Sequence, residues 1–217
     1  NSNVLHEIIS TDIHVDIYPI PPRDGHDYYT LVTMGMGAHR MNVPEDLGDQ
    51  KLERAELLIN LPPWWRIDGD SLEDERWYWP IRLLKSLARL PIHLDSWIGL
   101  GHTVMQEDCE PYSEDTGMCG SIILVPATFE DDSYVCRLSD GDEVNFYQVV
   151  PLYEDEVNFK LEKGVDKLVD LIPYDCLSVV NPGRPNYAGM GVPDQGQGED
   201  GNGSPDDDAE DETGVFA

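Results

Sequence analysis

Residues 133–172 read SYVCRLSDGDEVNFYQVVPLYEDEVNFKLEKGVDKLVDLI, and the spacing of the apolar side chains changes within this stretch. The ranges Ser133–Leu138 and Glu143–Val150 are strand-sized, and Asp140-Gly141-Asp142 between them is typical of a turn. Beyond the second range the apolar residues recur at helical spacing, and Gly164 is expected to bend or split that helix. The stretch therefore predicts a β-hairpin followed directly by a helical region.

Further strands are predicted on the N-terminal side of this hairpin. Ile13, Val15 and Ile17 alternate with polar residues, which is the period of a half-buried strand, and the prolines of residues 19–22 should end it. The range Glu53–Leu61 fits a helix or a strand, but its alternation and the Pro62-Pro63 stop favour a strand. Two other ranges have strand character: Tyr28–Met34 and Ser121–Val125.

A helix is predicted from Pro80 to the residue before Pro91. Proline suits the first helical turn because its missing N–H has no intrahelical partner there. An apolar stripe at helical spacing follows, made by Ile81, Leu84, Leu87 and Ala88. In the later helical region, Glu156 and Lys160 are spaced for an i,i+4 ion pair. The sum is an α+β fold, a mixed sheet with two main helical regions packed on it.

Composition limits the classes of partner. The 217 residues include 43 acidic residues and 14 Lys plus Arg, so the formal charge is −29. This charge disfavours binding to nucleic acid and to anionic membranes. No apolar run approaches the roughly 20 residues that cross a bilayer. The four cysteines lack the spacing of a metal site, and with no secretory signal visible we expect four reduced thiols in a cytoplasmic protein.

The last thirty residues differ from the rest of the chain. Residues 188–217 contain nine acidic residues and no Lys or Arg, and they are rich in Gly, Pro and Asp. Such a composition cannot bury enough apolar surface to offset the entropy lost on ordering. We therefore predict a domain over residues 1–187 and a disordered acidic tail over 188–217. The tail does not explain the acidity, since subtracting its nine charges from −29 leaves −20 on residues 1–187.

Few residues carry a pattern of metal chemistry, and no cofactor is predicted. His14 and Asp16 lie two apart on one side of a predicted strand, where they could share a metal if a third ligand joined them. The alternative is that both are polar strand positions satisfied by their neighbours. Close acidic pairs, such as Asp140 with Asp142, are expected by chance in so acidic a chain and are interpreted as solvated loop charge.

A thiol and an imidazole suggest one catalytic alternative. His102 follows Gly101, and Cys119 precedes Gly120 and an apolar strand, so the two could form a nucleophile and base of a hydrolase. The acidic residues near Cys119 disfavour a thiolate, and a buried structural cysteine is the preferred interpretation. The common catalytic signatures, including G-x-S-x-G, the P-loop and H-E-x-x-H, are missing from the sequence.

All five tryptophans fall within 34 residues, from Trp64 to Trp97. Such a concentration of large aromatic side chains forms either a core or an anchor for a partner protein. Trp64 and Trp65 follow Pro62-Pro63, and neighbouring side chains in an extended segment point in opposite directions. We therefore expect one of these two tryptophans to face outward and to be a partner-contact residue.

Taken in order, the motifs resemble a known family, the bacterial suppressor-of-fused-like domains, over about residues 5–187. The motifs that carry this resemblance are Ile13-His14-Val15-Asp16-Ile17-Tyr18, Tyr28 to Met36, Met41-Asn42-Val43-Pro44, Arg54-Ala55-Glu56-Leu57, Leu61-Pro62-Pro63-Trp64, Trp79-Pro80-Ile81-Arg82, Gly101-His102-Thr103, Gly117-Met118-Cys119-Gly120 and Val144 to Tyr153.

The resemblance implies a single mixed α/β domain without known catalytic activity. Animal relatives are adaptors that sequester a transcription factor by gripping an extended peptide as an added strand between this domain and a second one. Bacterial relatives include immunity proteins that neutralise a partner toxin by direct binding. The stretch that loosely corresponds to the acidic part of the animal peptide site is Phe129-Glu130-Asp131-Asp132.

These observations predict a protein-binding module, most specifically an immunity protein for a basic toxin. The charge of −20 on residues 1–187 would steer a basic partner toward it. The predicted partner-binding residues are Trp64, Trp65, Glu130, Asp131 and Asp132. The alternatives are a regulatory adaptor that sequesters its partner through an extended peptide, the Cys/His hydrolase, and a structural module of a larger protein.

The predicted boundary is open to limited proteolysis. Because the tail should lack a packed core, a nonspecific protease at low concentration should first cut after Tyr187 and leave a stable fragment that ends near that residue. Mass spectrometry of the fragments gives the position of the cut. First cleavage within residues 13–187 would contradict the boundary.

Overall fold

The computed structural model describes residue 5 and residues 13–106, 108–129 and 133–190. The strands are β1 (Asp16–Ile20), β2 (Tyr29–Met34), β3 (Ala55–Leu61), β4 (Thr103–Met105), β5 (Gly120–Leu124), β6 (Val135–Arg137) and β7 (Glu143–Leu152). The α-helices are α1 (Glu75–His93), α2 (Glu154–Lys163), α3 (Val165–Leu171) and α4 (Tyr174–Ser178). Three short 3₁₀ helices span Met36–Ala38, Glu45–Gln50 and Ser71–Glu73.

The described strands form one mixed sheet. Its order is β1-β2-β3-β7-β5-β4, and β6 pairs with the N-terminal part of β7. The pairing of β3 with β7 is parallel and the other pairings are antiparallel. The predicted α+β class and the β6–β7 hairpin are therefore confirmed. The sheet also contains β4, which the glycine-rich sequence around Gly101 did not predict.

Two apolar cores lie on opposite faces of this sheet. The seven residues of β3 are all buried, as expected for a central strand covered on both sides. One core packs α1 and the tryptophan segment against one face. The other core packs α2, α3 and α4 against the opposite face, near β5 and the C-terminal half of β7. The two main helical regions therefore lie on opposite faces of the sheet.

The first strand runs further than its prolines predicted. Ile17 and Pro19 both belong to β1, and the strand ends only at Ile20. The N–H and carbonyl of Ile17 bond to Leu5, on the side of β1 away from β2. Pro19 lies two residues on, so its position without an N–H also faces away from β2. An edge strand tolerates proline in this position because no ladder bond is lost.

Helix α1 begins five residues before Pro80 and continues through Pro91. The side chain of Asp74 accepts a hydrogen bond from the N–H of Arg76 at 3.0 Å and caps the helix. Burial of Trp79 against the core stabilises the additional turn. The predicted limits at the two prolines were wrong because tertiary packing outweighs the backbone bonds that the prolines remove.

The C-terminal helical region is split at Gly164, as the sequence predicted. Gly164 has φ +92° and separates α2 from α3, and that conformation is accessible to glycine without steric cost. The predicted ion pair between Glu156 and Lys160 was wrong. Glu156 is fully buried and turns inward, where its partner is Arg184.

The Glu156–Arg184 pair is a bidentate ion pair in the interior. The guanidinium donates from Nη1 to Oε1 at 2.6 Å and from Nη2 to Oε2 at 2.5 Å. The carboxylate also accepts the backbone N–H groups of Tyr153 and Tyr187, at 3.0 and 3.1 Å. Arg184 donates further to the Pro151 carbonyl and lies over both tyrosine rings. Both charged groups thus have hydrogen-bond partners within the protein.

Breaking this pair from one side should destabilise the domain strongly. Arg184→Met leaves a buried carboxylate without a counter-charge, which we expect to cost about 3–5 kcal/mol of unfolding free energy. The double variant Arg184→Met with Glu156→Leu should regain most of that loss, because it removes both charges. Urea unfolding followed by circular dichroism measures both effects.

A surface pair is the matched control. Lys163→Met breaks the exposed Lys163–Glu162 pair, whose atoms lie 2.7 Å apart. Solvent screening limits its expected cost to about 1 kcal/mol or less. If Arg184→Met lowered the unfolding free energy no more than Lys163→Met does, the buried pair would not hold the C-terminal segment in place.

Candidate protein-binding surfaces

The helices α2, α3 and α4 cover only half of one sheet face. Asn60 and Gln148 mark the covered part, where both side-chain amides donate to the Ser178 carbonyl at the end of α4, at 2.9 and 3.0 Å. Beyond them, toward β1 and β2, none of the described helices lies over the same face. Apolar side chains in that region are left exposed, including Met34 at 54% and Ile20 at 38%.

This open half forms a groove of about 530 Å³, which we call the sheet-face groove. Its floor comes from β1, β2, β3 and β7, and Phe129, Ser133 and Cys136 line one side of it. The lining residues that carry the argument below are Tyr18, Ile20, Val32, Met34, Phe129 and Phe146. A neighbouring cavity of about 380 Å³ shares Ile20, Phe129 and Ser133 with the groove and adds Arg23 and His26. The open surface is therefore mainly apolar with a polar end.

Glu56 lies at the floor of the sheet-face groove and has a structural role. Its Oε1 accepts the backbone N–H groups of Gly35 and Gly37, each at 2.9 Å, and its Oε2 accepts the Thr33 hydroxyl at 2.5 Å. Burial raises the pKa of this carboxyl, and the hydrogen bonds from Thr33 and the two glycines partly offset that rise. The carboxylate thus holds the turn after β2, which borders the groove.

Gly35 in this turn cannot be replaced by a residue with a side chain. Its φ is +124°, and a Cβ there would lie 2.2 Å from the carbonyl oxygen of His14. The close approach of the turn to β1 therefore requires glycine. The tight packing of this turn against β1 thus explains why glycine occurs at position 35 of the Met34-Gly35-Met36-Gly37 sequence.

A second surface is formed by four tryptophans. The ring centroids of Trp64, Trp65 and Trp77 lie 5.5–6.3 Å apart, and Trp79 contacts Trp65 at 5.9 Å. These rings and residues 181–183 border a cleft of about 210 Å³, which we call the tryptophan cleft. The Trp65 indole N–H donates to the Trp77 carbonyl at 3.0 Å. The cluster is therefore ordered as part of the fold and is partly open to solvent.

The two neighbouring tryptophans differ in exposure, as predicted. Trp64 is 58% exposed and Trp65 is 4% exposed. The reason differs from the expected one, because the backbone N–H of Trp65 bonds to the Pro62 carbonyl and both tryptophans belong to a turn rather than to an extended segment. Their role in partner binding remains a prediction. The other predicted contact residues, Glu130, Asp131 and Asp132, lie outside the described residues.

The predicted nucleophile and base are not brought together. Cys119 forms a disulfide with Cys109, so the expectation of four reduced thiols was wrong for these two, while Cys136 and Cys176 are free. In the β4–β5 register, Thr103 pairs with Ile122 and Met105 with Gly120. His102 and Cys119 are therefore four positions apart along the ladder, about 13 Å. The cytoplasmic location loses the support of reduced thiols and stays a prediction.

His102 instead packs against an aromatic ring. Its ring centroid lies 4.3 Å from that of Trp97, edge to face. Burial, and then the charge of Lys160, lower the pKa of His102, although a backbone hydrogen bond to Trp97 opposes the change. The imidazole is therefore neutral near pH 7, as expected for a half-buried packing residue.

The structure also shows the surroundings of two charged groups that the sequence analysis singled out, the His14–Asp16 pair and Asp142. His14 and Asp16 form a pair with Nε2 and Oδ1 2.9 Å apart, but no group of three or more potential metal ligands occurs among the described residues. Asp142 is not merely solvated loop charge, because Arg54 and Arg40 donate to its Oδ2 at 2.9 and 2.5 Å. These bonds lower the pKa of Asp142 and tie the β6–β7 hairpin to the start of β3.

The described residues contain no helix that is long and apolar enough to cross a membrane. The described part of the chain thus has an open apolar groove on one face of the sheet and, at the opposite core, a tryptophan cluster of which Trp64 is exposed.

The sequence profile of the suppressor of fused protein (SUFU) family matches residues 11–185. The chain therefore belongs to the suppressor of fused family, a family of regulatory proteins that bind other proteins. The resemblance seen in the sequence motifs is thus confirmed. No curated protein sequence matches the chain.

Solved structures confirm the fold. A suppressor of fused homologue from Neisseria gonorrhoeae FA 1090 has 16% identity and a TM-score of 0.58, covering 86% of this chain and 87% of its own. Sufu in a Sufu–Fu complex has 12% identity and a TM-score of 0.59, with 88% and 86% covered. Drosophila Suppressor of Fused has 13% identity and a TM-score of 0.55, covering 82% of this chain but only 43% of its own.

The raised pKa of Glu56 predicts how stability changes with pH. A carboxyl with a higher pKa when folded stabilises the protein below its unfolded pKa and loses that contribution as pH rises through the folded value. Glu56→Gln removes the ionisation and keeps an oxygen for the two glycine N–H groups. Between about pH 4 and pH 8, the unfolding free energy of the variant should therefore fall less than that of the wild type.

Urea unfolding at several pH values tests this expectation. The exposed Glu110→Gln variant is the control and should retain the wild-type slope. A Glu56→Gln slope equal to that of the wild type would mean that Glu56 does not titrate with a raised pKa.

Proposed function

We propose that the chain is a protein-binding module without catalytic activity, and that a segment of its partner lies in the sheet-face groove. The open groove carries this proposal. Its volume of about 530 Å³ and its mainly apolar lining suit side chains of another polypeptide. Continuous exposed apolar surface on a domain is characteristic of an interaction site.

Charge indicates what kind of partner this is. Residues 1–187 carry a net charge of −20, which favours encounter with a basic protein. The groove would then supply the short-range contacts, with Met34, Ile20 and Phe129 as its exposed apolar residues. The acidic residues Glu130, Asp131 and Asp132 follow Phe129 in the chain, and we propose that they contact basic side chains of the partner.

In its most specific form, the function is that of an immunity protein in the cytoplasm, which neutralises a basic toxin by direct binding. The second candidate is a regulatory adaptor that sequesters its partner through an extended peptide. A suppressor of fused protein has been solved in complex with Fu, which supports a protein as the ligand in either case. The two candidates differ in the partner, since an immunity protein protects cells from a toxin.

Charged substitutions in the groove test the binding mode. Ile20→Glu and Met34→Glu place a carboxylate on exposed positions, so the fold should persist while contact with an apolar segment is lost. We expect each variant to weaken binding of the identified partner about tenfold or more, corresponding to about 1.4 kcal/mol. Partners are identified by mass spectrometry of co-purified proteins and by testing the product of the neighbouring gene, and affinity is measured by calorimetry.

Leu161→Glu is the matched control, because Leu161 is exposed on α2 and distant in the chain from the groove. It should bind as the wild type does. Equal affinity in all three variants would exclude the groove as the binding surface. For the immunity form, co-expression of the wild type but not of Met34→Glu should restore growth to cells producing the toxin. A partner that is bound without being toxic favours the adaptor.

A further inference from the structure

The charge that lines the sheet-face groove is unbalanced. Among the described residues that line it, Glu56 supplies the single carboxyl group, and no Lys, Arg or His is present. Glu56 is 8% exposed, so part of its side chain is open to the groove. A carboxylate in apolar surroundings is screened less by solvent than one at the open surface. The groove therefore favours a positively charged group over a neutral or negative one.

A second carboxylate lies on the same face of the sheet. Asp16 is opposite Met34 in the β1–β2 register, so the two side chains share the face of the groove. Two residues beyond the Val32–Leu58 pair of β2 and β3, Met34 comes beside Glu56. At the usual strand spacing, the backbones of Asp16 and Glu56 are about 10 Å apart on either side of Met34. This end of the groove therefore has a carboxylate on each side of an exposed apolar residue.

Basic residues close to this row in the chain have carboxylate partners of their own. His14 Nε2 lies 2.9 Å from Asp16 Oδ1. Arg40 and Arg54 donate to Asp142 and are held at the β6–β7 hairpin. None of these three basic residues lines the groove. A cation inside the groove would therefore come from a ligand.

The hydrogen bonds of Glu56 determine which cation fits. Its Oε1 accepts the N–H groups of Gly35 and Gly37, and its Oε2 accepts the Thr33 hydroxyl. Each carboxylate oxygen has about two acceptor positions, so Oε2 can accept one further donor. A guanidinium in its bidentate geometry needs both oxygens, whereas a compact ammonium group needs one. Lysine therefore fits this carboxylate better than arginine does.

The side chains around Glu56 suit the stem of a lysine. Phe146 is paired with Glu56 in the β3–β7 register, and Tyr18 is paired with Val32 in the next row of the groove. The methylene groups of lysine pack on apolar surface while the ammonium group reaches a charge. A cation beside the face of an aromatic ring gains further attraction.

We propose that the sheet-face groove binds a lysine side chain of the partner, with the ammonium group at Glu56 Oε2 and the stem against Val32 and Met34. The inference rests on the function proposed above, since it takes a partner segment in the groove and names the residue that enters it. The net negative charge of the domain favours any basic partner. Glu56 adds a requirement for lysine at one position.

The experiment uses the full chain with ¹³C-labelled methionine methyl groups and synthetic peptides Ac-Ser-Val-X-Val-Ser-NH₂, where X is lysine, arginine, norleucine or glutamate. The Met34 methyl signal, assigned by its loss in Met34→Leu, reports on the groove. Titrations are run at pH 8, because burial raises the pKa of Glu56 and the ammonium group requires its charged form. The lysine peptide should bind about tenfold more tightly than the norleucine peptide, with arginine between them and glutamate weakest.

Variants separate the charge from the shape of the groove. Glu56→Gln keeps an oxygen for the glycine N–H groups and should weaken the lysine peptide about tenfold, with the norleucine peptide unchanged. Asp16→Asn tests the second carboxylate without altering the groove floor and should weaken only the lysine peptide, about threefold. Asp115→Asn is the matched control, since it removes the same charge at the tryptophan cleft and should leave both affinities unchanged.

Several results would overturn the inference. Equal affinities of the lysine and norleucine peptides would remove the role of charge, as would an undiminished lysine affinity in Glu56→Gln. If these peptides still lost affinity in Ile20→Glu, the groove would remain the binding surface and only the lysine requirement would be wrong. Tighter binding of the arginine peptide would contradict the single acceptor at Oε2. A Met34 signal that stays in place with every peptide at millimolar concentration would count against the groove itself.

Discussion

The carboxylate of Glu156 and the guanidinium of Arg184 meet in the interior, and the placement of the C-terminal third depends on that contact. A buried ion pair adds little net stability compared with apolar residues of the same size, but either charge alone would be costly. The pair therefore permits one arrangement of residues 153–187, in which Tyr153 and Tyr187 bond to the same carboxylate. An arrangement of these residues that separated the two charged groups while leaving one of them buried would be strongly destabilised.

That arrangement determines both open surfaces. Holding Arg184 in place puts residues 181–183 at the tryptophan cleft, where they form one of its walls. It also keeps α4 over the middle of the sheet, where Gln148 and Asn60 bond to the Ser178 carbonyl. The helices end there, and the remaining half of the face forms the sheet-face groove. The buried pair, the apolar core beneath the helices and these amide hydrogen bonds together fix which part of the sheet face is covered.

The two surfaces suit different kinds of contact. The sheet-face groove is wide and apolar, and its exposed residues Ile20 and Met34 can be covered by side chains of an extended segment. The tryptophan cleft is smaller and contains a buried donor at Trp79. An open apolar groove is consistent with membership in a family of protein-binding regulators.

The sequence alone determined the local elements whose cause is local. Alternation predicted the strands around Ile17 and Leu57, the Asp140–Asp142 turn predicted the hairpin, and Gly164 predicted the break between α2 and α3. Tertiary structure decided what depends on residues far apart in the chain. Lys160 was the obvious partner for Glu156 by spacing, yet Arg184, 28 residues away, is the partner because the fold buries its side chain beside the carboxylate. Likewise the Cys109–Cys119 bond, the burial of Trp65 and the open groove follow from packing, since periodicity shows which face of an element is apolar but not what covers it.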